Sequence, residues 1–130
     1  MNLNRRMFIG SVAASTTLTA PMVRAMGKPR VVVVGGGAGG ATAARYVAKD
    51  SKGEIDVTLI EPSRTYYTCF FSNLYIGGFR DFASIGHTYG TLASDYGVNV
   101  VHDWAVGVDR DTKMVTTAGG NSFAYDALVV

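Results

Sequence analysis

An α/β fold built on a parallel sheet is what this 130-residue sequence predicts, and three stretches carry the prediction. Arg30-Val31-Val32-Val33-Val34 is a continuous β-branched run, the pattern of a strand buried on both faces. Gly35-Gly36-Gly37-Ala38-Gly39-Gly40 follows without a break, and Ala41 to Lys49 then reads as helix. A second apolar strand, Ile55 to Ile60, ends on Glu61. Strand, glycine turn, helix and strand in that order make a Rossmann-like β-α-β unit.

Each part of the glycine cluster has a physical reason. Gly35 permits a tight turn off the strand, and Gly37 has no side chain to hold a pyrophosphate away from the backbone amides. Gly40 lets the helix approach the strand, and Ala44 is small one turn later for the same reason. Ala38 and Gly39 complete the loop at the helix N-terminus, where unsatisfied N–H groups and the helix dipole attract phosphate. Glu61 stands 21 residues after Gly40, where an acid accepts hydrogen bonds from a ribose. An acid there favours an unphosphorylated ribose, hence FAD or NAD over NADP.

The period changes after a helix expected from Tyr89 to Tyr96 and closed by Gly97. Val98 to Val101 reads as a third strand, followed by Trp104 to Val108, a polar turn at Asp109 to Thr112, Lys113 to Thr117, and a turn at Gly119-Gly120-Asn121. Tyr125 to Val130 then begins another apolar strand. A β-meander inserted after the third strand separates FAD-binding domains from simple NAD-binding ones, so FAD is the expected cofactor. The expected architecture of residues 26–130 is therefore a Rossmann-like FAD-binding βαβ with a parallel sheet plus an inserted β-meander. It is expected to be incomplete at the C-terminus, as the N-terminal part of a chain about three times longer. Trp104, at a strand start, is expected in the core.

Residues 1–25 read as an export signal. Arg5-Arg6 precedes the moderately apolar run Phe8 to Ala20, Pro21 breaks it, and Val23-Arg24-Ala25 supplies a cleavage site. The paired arginines resemble the twin-arginine signal, which exports folded, cofactor-loaded proteins, so a periplasmic location is expected. The run is too short to span a bilayer. Without Arg5, Arg6 and Arg24 the chain has nine basic residues against ten acidic ones, which leaves no basic face for nucleic acid. The single cysteine, Cys69, excludes an internal disulfide and a cysteine metal cluster. His87 and His102 have no partner at ligand spacing, so no metal is expected; His87 is read as a surface residue and His102 as the end of a strand.

Between the second strand and the helix at Tyr89 runs an aromatic-rich loop, Thr65-Tyr66-Tyr67-Thr68-Cys69-Phe70-Phe71-Ser72-Asn73, with Gly77-Gly78 beyond it. A cysteine among aromatics reads either as a small buried side chain or as a group that reaches the edge of a flavin. The sequence resembles the flavocytochrome c sulfide dehydrogenase flavoproteins, within the wider sulfide:quinone oxidoreductase group. The resemblance runs through Val31 to Ala44, Val57-Thr58-Leu59-Ile60-Glu61-Pro62, Tyr66-Tyr67-Thr68-Cys69, Ser72-Asn73, Val100-Val101-His102-Asp103 and Thr117-Ala118-Gly119-Gly120. Tyr-Tyr-Thr-Cys followed by Ser-Asn is its most specific part.

That resemblance implies that Cys69 joins the flavin 8α-methyl through a thioether, that Glu61 holds the adenosine ribose, and that Val106 meets the adenine through its backbone. Phe70-Phe71 and Leu74-Tyr75 depart from the family pattern by being bulkier or less polar. The resemblance further implies sulfide as substrate and a haem-bearing cytochrome c subunit as electron acceptor. The redox cysteine pair that reaction uses is not among these residues, so none of them is assigned a catalytic role. Two alternatives stand beside this reading: another FAD-dependent NADH disulfide or ferredoxin reductase, which needs a second glycine fingerprint, and a truncated, non-catalytic FAD-binding fragment.

Overall fold

The structure, a computed structural model, describes residues 27–130, so the export leader expected at 1–25 lies outside the described residues. Strand β1 (Arg30–Val34) leads through the glycine turn into α1 (Ala38–Asp50), and β2 (Asp56–Ile60) completes the unit. After Glu61 come β3 (Thr65–Tyr67), the short helix α2 (Ser72–Ile76), a 3-10 turn (Phe82–Ile85) and β4 (Gly86–Thr88). Helix α3 (Gly90–Tyr96) precedes β5 (Asn99–Val101). The chain then runs through β6 (Ala105–Asp109), β7 (Met114–Thr117), β8 (Ser122–Ala124) and β9 (Ala127–Val129).

The main sheet has the order β5-β2-β1-β9, and every neighbouring pair is parallel. Alternation along the strands sorts the core into two faces. Val33, Val57 and Leu59 pack with Ala44 and Ala48 of α1 and Leu92 of α3. Val32 and Ile60 point the other way and pack with Val115 of β7 and Tyr125. The result is three layers: helices, parallel sheet, and an antiparallel meander of β6, β7 and β8. This is the architecture expected from the sequence, with the valine run as its buried central strand.

Besides the ladder between β1 and β9, the pair Arg30–Asp126 anchors the start of one strand to the start of the other. The Arg30 N–H donates to Asp126 Oδ2 at 2.7 Å, and its guanidinium donates to both carboxylate oxygens at 3.2 Å. The Asp126 N–H donates to the Arg30 carbonyl at 2.8 Å, which delivers Ala127 opposite Val31. The same guanidinium holds the Asp126 carboxyl below its ordinary pKa.

Three features differ from the sequence expectation. Helix α1 begins at Ala38 rather than Ala41, taking Gly39 and Gly40 into its first turn despite glycine's poor helix propensity. The aromatic-rich segment expected as a loop contributes β3, which pairs antiparallel with β4, Tyr66 opposite His87, and the start of α2. Trp104, expected in the core, is 67% exposed. It lies just before β6, on which Ala105 and Gly107 turn inward while Val106 and Val108 face out, and Trp104 continues the outer row.

Candidate functional site

The glycine turn lies at the carboxyl ends of β1, β2 and β5, where open α/β sheets bind ligands. Gly35 has a φ of +97°, a conformation that residues with a Cβ rarely adopt. Its N–H still donates to the Ile60 carbonyl at 2.9 Å, so the turn leaves β1 without releasing β2. Gly37 is the N-cap of α1, and its carbonyl accepts from the Ala41 N–H at 2.9 Å. A Cβ added at Gly37 or at Gly39 meets nothing within 4 Å. At Gly40 it would be driven into the Gly35 carbonyl and stand 3.4 Å from Val33 Cγ1. One glycine thus leaves open space beside the backbone, and another brings helix and strand together.

Glu61 is the joint of the site. Its N–H donates to the Val101 carbonyl at 2.9 Å, placing it between β2 and β5. Its Oε2 accepts from the Gly36 N–H at 2.7 Å, and its Oε1 accepts from the Ser63 N–H at 2.8 Å. Each carboxylate oxygen has a further lone pair for another donor. The first turn of α1 carries no acidic residue, so the positive end of its dipole is not offset locally. Gly35, Gly37, Ala38, Gly39, Gly40 and Glu61 are therefore brought together around one turn.

Two residues join this cluster that sequence alone does not mark. Tyr89 is 5% exposed, and its hydroxyl donates to the Gly36 carbonyl at 2.9 Å. Burial, followed by the nearby Glu61 charge, pushes its phenol up to about 12. His102 places Nδ1 3.1 Å from the Glu61 carbonyl, and its ring centroid lies 6.0 Å from that of Tyr89. The only sequence signal was a third glycine, Gly36, at a fingerprint position that tolerates any residue. A Cβ there would stand 2.5 Å from the Tyr89 hydroxyl. A cleft of about 550 Å³ opens beside this contact, between α1, α3 and the β3–β4 ribbon, lined by Ala38, Ala41, Arg45, Tyr66 and Tyr89 among others.

Cys69 and Val106 lie on separate segments. Cys69 is a free cysteine, exposed rather than buried among the described residues. Its backbone is held while its side chain is not. The Cys69 carbonyl accepts from the Ser72 N–H at 3.2 Å and from the Ser72 hydroxyl at 2.9 Å. The preceding Thr68 is buried, with its N–H on the Ile85 carbonyl at 2.9 Å. Aromatic rings surround the segment: Tyr67 stacks on Phe82 at 4.4 Å, and Arg80 sits 4.9 Å from the Phe71 ring centroid. A second cleft of about 230 Å³, lined by Thr68, Phe70, Phe71, Arg80 and Ile85, shares His87 with the larger one. Val106 is 65% exposed, and the β6–β7 register shifts between Ala105 and Gly107. Such a bulge withdraws a residue from the ladder and exposes its backbone groups.

The sequence profile of the pyridine nucleotide-disulphide oxidoreductases matches residues 29–130. Sulfide-quinone reductase of Aquifex aeolicus is 33% identical over 102 residues, covering 77% of this chain and 23% of that protein. The flavoprotein chain of the flavocytochrome c sulfide dehydrogenase of Chlorobaculum thiosulfatiphilum is 55% identical over 47 residues, covering 36% of this chain and 96% of that sequence. Among solved structures, the sulfide:quinone oxidoreductase of Aquifex aeolicus superposes with a TM-score of 0.68 at 28% identity, over 77% of this chain and 23% of its own. The water-forming NADH oxidase of Lactobacillus brevis superposes with a TM-score of 0.69 at 24% identity, over 77% and 24%, which is a likeness of fold alone. The chain thus spans about a quarter of the length of the Aquifex protein. The match from residue 29 onward takes in every described strand and helix, and the chain belongs to the pyridine nucleotide-disulphide oxidoreductase family of FAD-binding oxidoreductases.

Proposed function

We propose that this chain binds FAD and serves as the flavoprotein of a sulfide dehydrogenase, passing electrons from sulfide to a cytochrome c subunit. The observation that carries the cofactor reading is the Glu61 carboxylate, bonded to the Gly36 and Ser63 N–H groups at the mouth of an open glycine turn. In this reading the lone pairs left on Glu61 accept from the adenosine ribose, and Gly37, Ala38 and Gly39 present their amides to the pyrophosphate. Gly40 keeps α1 close enough for its N-terminus to face those phosphates. The bulge at Val106 offers backbone groups to the adenine edge. Bound FAD supplies two-electron acceptance with one-electron release, which suits a sulfide donor and a haem acceptor.

The sulfide assignment is supported by the Tyr66-Tyr67-Thr68-Cys69 run and by the two sulfide-oxidising relatives. Cys69 is the proposed attachment point, and the exposure of its side chain on a pinned backbone supports that role. The twin-arginine leader over residues 1–25 supports a periplasmic setting, where a cytochrome c partner is found. Among the described residues no helix is long and apolar enough to cross a membrane.

The test is flavin fluorescence on the denatured polypeptide after purification from the full reading frame. Flavin that stays with the wild-type chain and is released from Cys69→Ala is the expected result. Complete release of FAD from the wild type would refute the thioether. Sulfide-dependent reduction of cytochrome c by the purified protein tests the reaction, and reduction by NADH instead would point to a nicotinamide-dependent reductase.

A further inference from the structure

We propose that Tyr89 is a positioning residue that aims the Gly37 amide at the cofactor pyrophosphate by holding the Gly36 carbonyl. The inference rests on the FAD reading above and adds to it a residue outside the glycine fingerprint. A trans peptide points its C=O and its N–H in opposite directions. Whatever holds the Gly36 carbonyl therefore sets the direction of the Gly37 N–H, the amide beside which the backbone is open.

Two successive peptides of the turn are fixed in this way. In the peptide joining Gly35 to Gly36, the N–H is held by Glu61 Oε2 at 2.7 Å, and the carbonyl is backed by Gly40. In the peptide joining Gly36 to Gly37, the carbonyl is held by the Tyr89 hydroxyl at 2.9 Å. The Gly37 N–H consequently points away from the Tyr89 ring. Tyr89 is itself immobilised: it is buried in the core with Val33, Leu59 and Leu92. Its hydroxyl remains protonated, and so remains a donor, at any neutral pH. The ring also explains Gly36, because a methyl there would meet the hydroxyl at 2.5 Å and the ring at 2.7 Å.

The test is FAD titration into protein expressed from the full reading frame, carrying Cys69→Ala so that the flavin exchanges, with and without Tyr89→Phe. The phenylalanine keeps the packed ring and removes only the donor. We expect the Kd for FAD to rise about tenfold, from the loss of one hydrogen bond that orders a phosphate donor. The Gly37 amide proton resonance, which moves on FAD binding in the parent, should move less in the variant. Gly36→Ala, which pushes the ring off the turn, should weaken FAD to a similar degree, and the double variant should lose less than the product of the two effects. A role in folding alone would lower the unfolding midpoint of apo and FAD-loaded protein equally and leave the Kd unchanged, and that result overturns the proposal. A parent protein that binds no FAD removes the FAD reading itself. Normal binding by both parent and variants removes only the role of Tyr89.

Discussion

Alanine at Gly40 and alanine at Gly39 test the packing of α1 on the sheet, because two adjacent glycines of one helix turn have opposite surroundings. At Gly40 the added methyl overlaps the Gly35 carbonyl and stands 3.1 Å from the carbonyl carbon and 3.4 Å from Val33 Cγ1. Both atoms of the overlapping carbonyl belong to backbone. No rotamer relieves the contact, and the helix must lift from β1. Overpacking of this kind costs about 1–3 kcal/mol. At Gly39 the methyl meets nothing within 4 Å, and alanine's better helix propensity adds up to about 1 kcal/mol of stability. The propensity gain applies at both positions, so the two variants should differ by the overpacking alone, roughly 1–3 kcal/mol in urea unfolding, with Gly40→Ala the weaker. Equal stabilities, or a stable Gly40→Ala protein, would refute the claim that helix α1 rests on the Gly35 carbonyl.

Other outcomes follow from the core and from the carboxylates. Leu59 is fully buried between β2 and the helical layer, so Leu59→Ala should cost about 2–5 kcal/mol in the same assay. The carboxyls of Asp126, Asp103 and Asp109 are each held below their ordinary value. Asp126 is lowered by Arg30, Asp103 by Thr117 and the Gly119 N–H, and Asp109 by the Thr112 and Asp111 N–H groups. A depressed folded pKa contributes stability that is present above the unfolded value, about pH 4, and is lost as the pH falls through the folded value. Unfolding midpoints should accordingly fall as the pH drops below about 4, and Asp126→Asn should make that fall shallower while lowering stability at neutral pH. A slope unchanged by Asp126→Asn would show that the Arg30 pair contributes nothing.

The parts of the fold that sequence makes legible are those where one residue type answers one local requirement. The valine run becomes β1 because only a strand buried on both faces uses four consecutive apolar β-branched side chains, and Val32 and Val33 are indeed buried on opposite faces. Gly35 and Gly40 are readable because a positive φ and a missing Cβ are properties of glycine itself. Glu61 was readable by its spacing, and the structure adds that its carboxylate also binds the turn.

What stayed hidden depends on pairing between distant residues. The β3–β4 ribbon needs Tyr66 opposite His87, and nothing local in either three-residue strand demands it. Helix α1 starts three residues early because the Gly37 carbonyl receives the Ala41 N–H within the turn, which overrides the low propensity of Gly39 and Gly40. Trp104, at a strand start, is expected in the core, yet it falls on the outer row beside β6. Tyr89 reads in sequence only as the start of a helix, and its contact with Gly36 joins residues 53 positions apart.

The central claim is that the glycine turn is a phosphate cradle, and Gly37→Ala tests it most directly. The N-cap conformation at Gly37, φ −64° and ψ −174°, is open to alanine, and its methyl would meet no protein atom within 4 Å. Folding stability should stay within about 1 kcal/mol of the parent, the usual difference between caps. The methyl would instead occupy the space through which a phosphate reaches the amides. In a Cys69→Ala background, FAD affinity should fall by about tenfold or more while the unfolding curve is nearly unchanged. A Gly37→Ala protein that binds FAD as tightly as its parent would contradict the account.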